Sequence, residues 1–427
     1  MRQEPKMTRR NAVATLAAAA PLVSSASAQN AAAPQGRAAA QARRPALVSP
    51  EIASDNRVTF RYLAPEASEA VLAGEWPGGA KIPMKKDEQG VWSVTTGPLP
   101  PEWWGYAYLV NGVKTLDPQS PRIKRDTAKF DSTLIVPGAE SMLFAVTEVP
   151  HGTVSAIWCP SPSLKLTRRM IVYTPPGYEG GAERYPVLYL LHGAGGDEEE
   201  WTGQGRTAQI LDNVIAQGKA KPMIVVMPNG HAAQSVTPAL AAPATPGTNT
   251  GQPSDASRLA PYALFPDSLL ADVIPFVEKT YRTAAGRDNR AIAGLSMGGS
   301  QALYAGLRHL DRFAWVASFS GAFVIWPGAM TAIPADSGPS GVGAGWGLNM
   351  KAVEATFPGL TQESAAQLKL FYISCGTDDG LIVSGRQFTG WLKSRKIRFI
   401  EVETPGYAHV WSYWRKSLVD LAPRLFR

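Results

Sequence analysis

Cysteine is scarce in this 427-residue chain, with two residues, Cys159 and Cys375. Two cysteines build neither a disulfide framework nor a structural zinc site, so each is expected as a buried thiol. Histidine is also scarce, at five residues. There is no H-E-x-x-H, no C-x-x-C and no P-loop lysine motif, so metal, dithiol and nucleotide chemistry have no signature. The glycine run after Leu191 is not spaced as G-x-G-x-x-G. No apolar run beyond the N-terminus reaches the roughly 18 residues of a membrane-spanning helix, so no stable membrane association is expected. What is present is 45% hydrophobic residues, which excludes wholesale disorder, and a length that suits two or three globular units.

The net charge is +7, which raises the question of an anionic partner. Its distribution answers it. Residues 1–28 and 29–47 carry +3 each, which leaves only +1 for residues 48–427. A nucleic-acid footprint across the fold is therefore not expected. The first segment has the order of an export signal: twin arginines at Arg9 and Arg10, an apolar run from Asn11 to Val23, then Ala26-Ser27-Ala28 as a cleavage pattern. It fits a twin-arginine or Sec signal and hence a periplasmic or secreted protein. Residues 29–47, rich in Ala, Gln, Pro and Arg, read as a flexible linker.

From Ser49 the texture changes to short alternating runs: Val58 to Tyr62, Ala70 to Gly74, Gly90 to Val94, Trp104 to Val110 and Ser132 to Val136. Asn111-Gly112 marks a type I′ hairpin. Such runs, split by Pro and Gly, predict a small β-sandwich over 48–145. From about His151, strand candidates alternate with helical stretches such as Asp267 to Tyr281. That alternation predicts an α/β domain over 146–427, with a mostly parallel sheet covered on both faces. Two irregular stretches, 231–261 and 326–350, break the rhythm and suit either lids over a site or disordered insertions.

The strongest chemical signal is Gly294-Leu295-Ser296-Met297-Gly298-Gly299, which follows the apolar strand Ala291-Ile292-Ala293 and opens a helical run. This is G-x-S-x-G in a strand–turn–helix setting, where the turn lifts the Ser296 hydroxyl off the sheet and aims the Met297 amide at a developing oxyanion. A serine hydroxyl needs a base. Only His309 and His409 follow it; His309 lies at the far end of the helix after the turn, so His409, in the loop after the last strand, is the candidate. The acid belongs after the preceding strand, where Asp378 and Asp379 are alternatives. A second oxyanion donor is expected from His192-Gly193-Ala194-Gly195-Gly196, at the Ala194 amide, with His192 structural. Among the tryptophans, Trp92 and Trp104 are expected as core anchors, and Trp76 and Trp103 as more open. Trp201, Trp326 and Trp414 are candidate substrate contacts.

Residues about 151–427 resemble the esterase D and feruloyl esterase group of α/β-hydrolases. The matching pieces include VYTPPGY at 172–178, YLLHG at 189–193, MPNG at 227–230, DVIPFVE at 272–278 and the GLSMGG turn. The resemblance implies Ser296 as nucleophile, and as acid the last residue of G-T-x-D, here Asp379. It implies as base the histidine of G-x-x-H-x-x-x-x-W, here His409 with Trp414. The oxyanion donors fall on Ala194 and Met297, and no metal or cofactor is implied. Residues about 48–138 resemble the early-set, glycogen-branching-enzyme-type carbohydrate-binding module, through VTFRYLAP and DEQGVWSVTTGPLPPEWWGYAYLVNGVKTLDPQSPR. Together these imply an exported serine esterase acting on acetyl or feruloyl esters of xylan or arabinoxylan. A siderophore esterase, a mycolyl-type acyltransferase and a glycan-binding protein with a vestigial hydrolase are the alternatives. Nothing in the sequence speaks to oligomeric state.

Overall fold

The structure, a computed structural model, describes residues 47–126, 129–234, 264–332 and 346–427. The expected export signal, nearly all of the linker and the greater part of the irregular stretch 231–261 lie outside the described residues, as do positions 333–345 of the stretch 326–350.

Ten short strands come first: β1 (Glu51–Ile52), β2 (Val58–Leu63), β3 (Ala70–Gly74), β4 (Ile82–Pro83), β5 (Lys85–Lys86), β6 (Val91–Thr96), β7 (Glu102–Val110), β8 (Val113–Thr115), β9 (Ile123–Asp126) and β10 (Lys129–Val136). They form one sheet in the order β1-β2-β6-β5 and another in the order β4-β3-β7-β10-β9, with β8 on β7. Alternation sets the core: Val58 and Phe60 of β2, Leu72 of β3, Trp92 of β6, Trp104 and Tyr106 of β7 and Leu134 of β10 meet in one buried cluster. The β7–β8 turn has φ of 48° at Asn111 and 80° at Gly112, the left-handed pair that a type I′ turn requires. Trp76 is not open: it is 3% exposed and stacks on Phe60 at 5.5 Å.

The second sheet group is β11 (Thr153–Ser161), β12 (Leu166–Thr174), β13 (Val187–Leu191), β14 (Ile224–Pro228), β15 (Arg290–Gly294), β16 (Trp315–Phe319), β19 (Leu370–Gly376) and β20 (Ile400–Thr404), with a small pair β17 (Met330–Ala332) and β18 (Trp346–Leu348) aside. The order is β11-β12-β14-β13-β15-β16-β19-β20. The sheet is mixed: β12 runs antiparallel to β11 and β14, and the strands from β14 to β20 are parallel. Strands β13 to β16 and β19 are buried throughout, because helices cover both faces, and so they read as unbroken apolar runs. Cys159 on β11 and Cys375 on β19 are free and buried. Six strand spacings separate them, about 29 Å at about 4.8 Å each, far beyond disulfide reach.

The predicted helix Asp267–Tyr281 is interrupted. A π-turn spans Leu269–Val273 before the α-helix Ile274–Thr280. Pro275 has no N–H to give to the Ala271 carbonyl, and the wider turn absorbs that lost bond.

The β-strand region and the α/β region pack as one body, Leu47–Arg427. Trp103 of β7 and Phe144 share a buried cluster with Leu188, Leu190, Trp201 and Trp414. Arg415, 1% exposed, donates to Glu102 Oε1 and to the carbonyls of Trp103 and Gln204, and its guanidinium lies 5.4 Å over the Trp103 ring. Trp103, expected to be open, is thereby 5% exposed. Among the described residues no helix is long and apolar enough to cross a membrane, and no group of three or more His, Cys, Asp or Glu is arranged to hold a metal.

Candidate active site

Ser296 stands between β15 and the helix Met297–Arg308, with φ 52° and ψ −115°. This is costly backbone for a residue with a Cβ, by about 1–3 kcal/mol. The surroundings hold it there: Ser296 N donates to Phe319 O at 2.9 Å, and Ser296 O accepts from Ala322 N at 2.9 Å and Ser300 N at 3.1 Å. The flanking glycines are sterically required. A Cβ on Gly294 would lie 2.5 Å from the Gly298 carbonyl, and one on Gly298 would lie 2.5 Å from the carbonyl oxygens of Leu191 and His192. Met297 is the first residue of the helix, so its N–H has no acceptor within the helix and points outward at the N-terminal end.

His409 Nδ1 lies 2.8 Å from Asp379 Oδ2. Of the two adjacent carboxylates, the structure brings Asp379 to His409 and leaves Asp378 exposed. Two loops laced together produce this. Thr377 N donates to Thr404 O, Asp378 N to Tyr407 O and Gly406 N to Thr377 Oγ1, at 3.0–3.1 Å. A Cβ on Gly376 would sit 2.0 Å from Tyr407 O, so the glycine lets the two chains touch. Asp379 is 1% exposed. Burial works to raise its pKa, but the hydrogen bond and charge of His409, the Leu381 amide and the Ser320 hydroxyl outweigh burial and hold it below the ordinary carboxylate range. That favours a carboxylate acceptor and hence an Nδ1–H donor on His409. Trp414 packs edge-on to the His409 ring at 4.8 Å and 85°, and its indole N–H donates to Ser320 Oγ at 3.2 Å.

The third loop is 192–200. Ala194 and Gly195 are exposed at its tip, and a Cβ on Gly193 would lie 3.4 Å from Ser296 Cβ. His192 is fully enclosed and bridges two strand ends: Nδ1 is 2.8 Å from Gly193 O, and Gly230 N donates to Nε2 at 2.7 Å. Those partners require the neutral Nδ1–H form, and burial pushes its pKa down to about 3. His192 thus shapes the loop. The far side of this loop is held from the β-strand region, where Arg125 of β9 pairs with Asp197 Oδ1 at 2.8 Å and Glu199 Oε2 at 3.1 Å.

Ser296, Ala194 and His409 line a cleft of about 630 Å³ together with Trp411 and Trp414. Two expected substrate contacts are not there. Trp201 is 1% exposed and donates to Leu191 O, and Trp326 is 2% exposed and donates to Ser300 O; both are core anchors. Trp414 does line the cleft, although it is 6% exposed. His309 caps the far end of the helix that begins at Met297. Sequence reasoning missed Trp411 and the residues the β-strand region adds to the cleft, among them Glu75, Pro101, Trp104 and Asp126. No local pattern marks the latter, because they stand some 170 or more positions from Ser296 in the chain.

A family model described as "Putative esterase" matches residues 161–425. An endo-1,4-beta-xylanase/feruloyl esterase from Xylanibacter ruminicola is 28% identical over 390 residues, 90% of this chain and 47% of that protein. The chain thus spans about half the length of that curated relative. Among solved structures, a ferulic acid esterase from Anaeromyces mucronatus superposes with a TM-score of 0.52 at 24% identity, covering 66% of this chain and 93% of that one. The enterobactin esterase from Shigella flexneri gives 0.57 at 18% identity, covering 86% and 92%. At these identities the two structures speak for the fold, that of the α/β-hydrolases with a mixed sheet.

Proposed function

Because the chain belongs to the putative esterase family, we propose that it is a serine carboxylesterase that removes feruloyl or acetyl groups from plant cell-wall polysaccharides such as xylan and arabinoxylan. The observation that carries the reading is the 2.8 Å contact of Asp379 with His409 in a cleft that Ser296 also lines. In the proposed mechanism Ser296 Oγ attacks the ester carbonyl while His409 Nε2 takes its proton. Asp379 holds the imidazole in the required tautomer and stabilises the imidazolium. The Met297 and Ala194 amides receive the negative charge on the carbonyl oxygen. His409 then returns the proton to the sugar alcohol, and water releases the acyl group by the same route. The scheme calls on no metal or cofactor. The N-terminal 28 residues are proposed to direct export, which N-terminal sequencing of the mature protein tests.

The direct test of the function is a panel of p-nitrophenyl acetate, methyl ferulate, acetylated xylan and a catecholate siderophore ester. Ser296→Ala is expected to abolish hydrolysis of the first three without lowering the thermal midpoint. Retained turnover would end the assignment of Ser296, and fastest turnover of the siderophore would overturn the substrate class.

A further inference from the structure

The cleft above Ser296 has two walls of different origin. One is made by the loops of the α/β region, and the other by the β-strand region, through Glu75, Pro101, Trp104 and Asp126. Its charge is one-sided. Among the described lining residues the one Lys or Arg is Arg415, and its side chain is 1% exposed and committed to Glu102, Trp103 and Gln204. The Glu75 side chain, by contrast, is 42% exposed. Its Oε2 is fixed by Lys124 Nζ and the Gly105 amide, which hold the carboxylate in place on the wall as an acceptor, while the Lys124 charge offsets most of its own. Asp126 is half-buried beside it, and burial together with the Glu75 charge raises its pKa although Lys124 opposes this. Carboxylate oxygens only accept hydrogen bonds. An acetyl group has no donor and a feruloyl group one phenol, whereas a sugar presents several hydroxyls in a small volume. The volume of about 630 Å³ is in the range of small-molecule sites, and Trp104 and Trp411 add aromatic surface.

We propose that this cleft receives the alcohol part of the ester, and that Glu75 and Asp126 select uncharged, hydroxyl-rich sugars over alcohols that carry an acid. The inference rests on the esterase reading above and adds a charge rule to it. Lys124 offsets most of the Glu75 charge, so the repulsion of an anionic substituent rests mainly on Asp126 and is worth about threefold.

The test compares kcat/KM for an esterified neutral xylo-oligosaccharide with that for the same oligosaccharide bearing a glucuronic acid branch. The purified full chain is expected to favour the neutral ester about threefold at low salt, and added salt should shrink the ratio. Asp126→Asn should reduce the ratio about threefold with the thermal midpoint kept. Glu75→Gln should act in the same direction, but it strands buried Lys124, so the asparagine variant and the salt series carry the test if it fails to fold. Equal rates on the two esters, or a ratio indifferent to both salt and Asp126→Asn, would overturn the charge rule and leave the esterase intact. No turnover of either ester or of p-nitrophenyl acetate would instead bring down the esterase reading, and this proposal with it.

Discussion

Gly376→Ala offers a sharp test of how the His409 loop is placed. The added Cβ would lie 2.0 Å from Tyr407 O and 2.6 Å from Tyr407 C. Ordinary non-bonded contact needs about 3.2 Å or more, so one of the two loops must move by about 1.2 Å. Both candidates for movement matter. The Asp378 amide that donates to Tyr407 O at 3.0 Å is one residue before Asp379, and Tyr407 is two residues before His409. A displacement of that size takes the 2.8 Å contact of Asp379 with His409 to about 4 Å, beyond hydrogen-bond length. A 1 Å misplacement costs roughly 10²-fold, and loss of the acid's hold on the histidine tautomer up to about 10⁴-fold. The expected result is a kcat for p-nitrophenyl acetate lower by ~10²–10⁴, with far-UV circular dichroism of the folded protein. Gly385→Ala is the control. Gly385 lies in the helix Ile382–Ser394 with nothing within 4 Å of an added Cβ. That change should leave kcat alone and add about 0.5–1 kcal/mol of stability. A folded Gly376→Ala enzyme within about threefold of the parent kcat would refute the argument that this backbone contact positions the base.

Three other outcomes follow from the same geometry. Asp379→Asn should lower kcat by ~10⁴ whereas Asp378→Asn, at an exposed position, should change it by less than about threefold; reversed effects in steady-state kinetics would reassign the acid. Because the folded pKa of His192 is depressed to about 3, its neutral form supports the fold above the unfolded value near 6.5. That support is lost as the pH falls from there toward 3, by at most about 1.4 kcal/mol per unit. His192→Gln should flatten this slope in urea unfolding curves, and a parallel slope would contradict it. Arg415→Met should cost about 3–5 kcal/mol by leaving Glu102 buried without its partner, and Glu102→Gln added to it should recover most of that loss; additive losses in thermal unfolding would count against a coupled pair.

The Ser296 turn was readable from sequence because its requirements are local. A buried strand, glycines where backbones touch and a helix that starts at once all fall within about a dozen residues. The choice between Asp378 and Asp379 was not local. In space the lacing of 376–379 to 404–409 brings Asp379 rather than Asp378 to His409, and the sequence offered that residue only through a resemblance. The tryptophans failed for a related reason. Trp76, Trp103, Trp201 and Trp326 sit in polar or Gly/Pro-rich neighbourhoods, which suggests exposure, yet each is buried by partners distant in the chain. Trp201, for example, is covered by Phe319 and Trp411. The sheet's antiparallel strand β12 was hidden too, since a strand buried on both faces has the same apolar texture in either direction.

The grip of Arg415 and Arg125 across the boundary near residue 145 bears on how this protein could be cut or recombined. Arg415 leaves the helix that follows His409 and ends on β7, while Arg125 leaves β9 and ends on the loop that carries Ala194. A truncation that kept only the α/β half would strand a buried guanidinium at one side of the cleft and the buried Asp197 carboxylate at the other. The portable unit for gene fusion or domain exchange is therefore 47–427, and any domain swapped in for the β-strands would have to replace a wall and two struts.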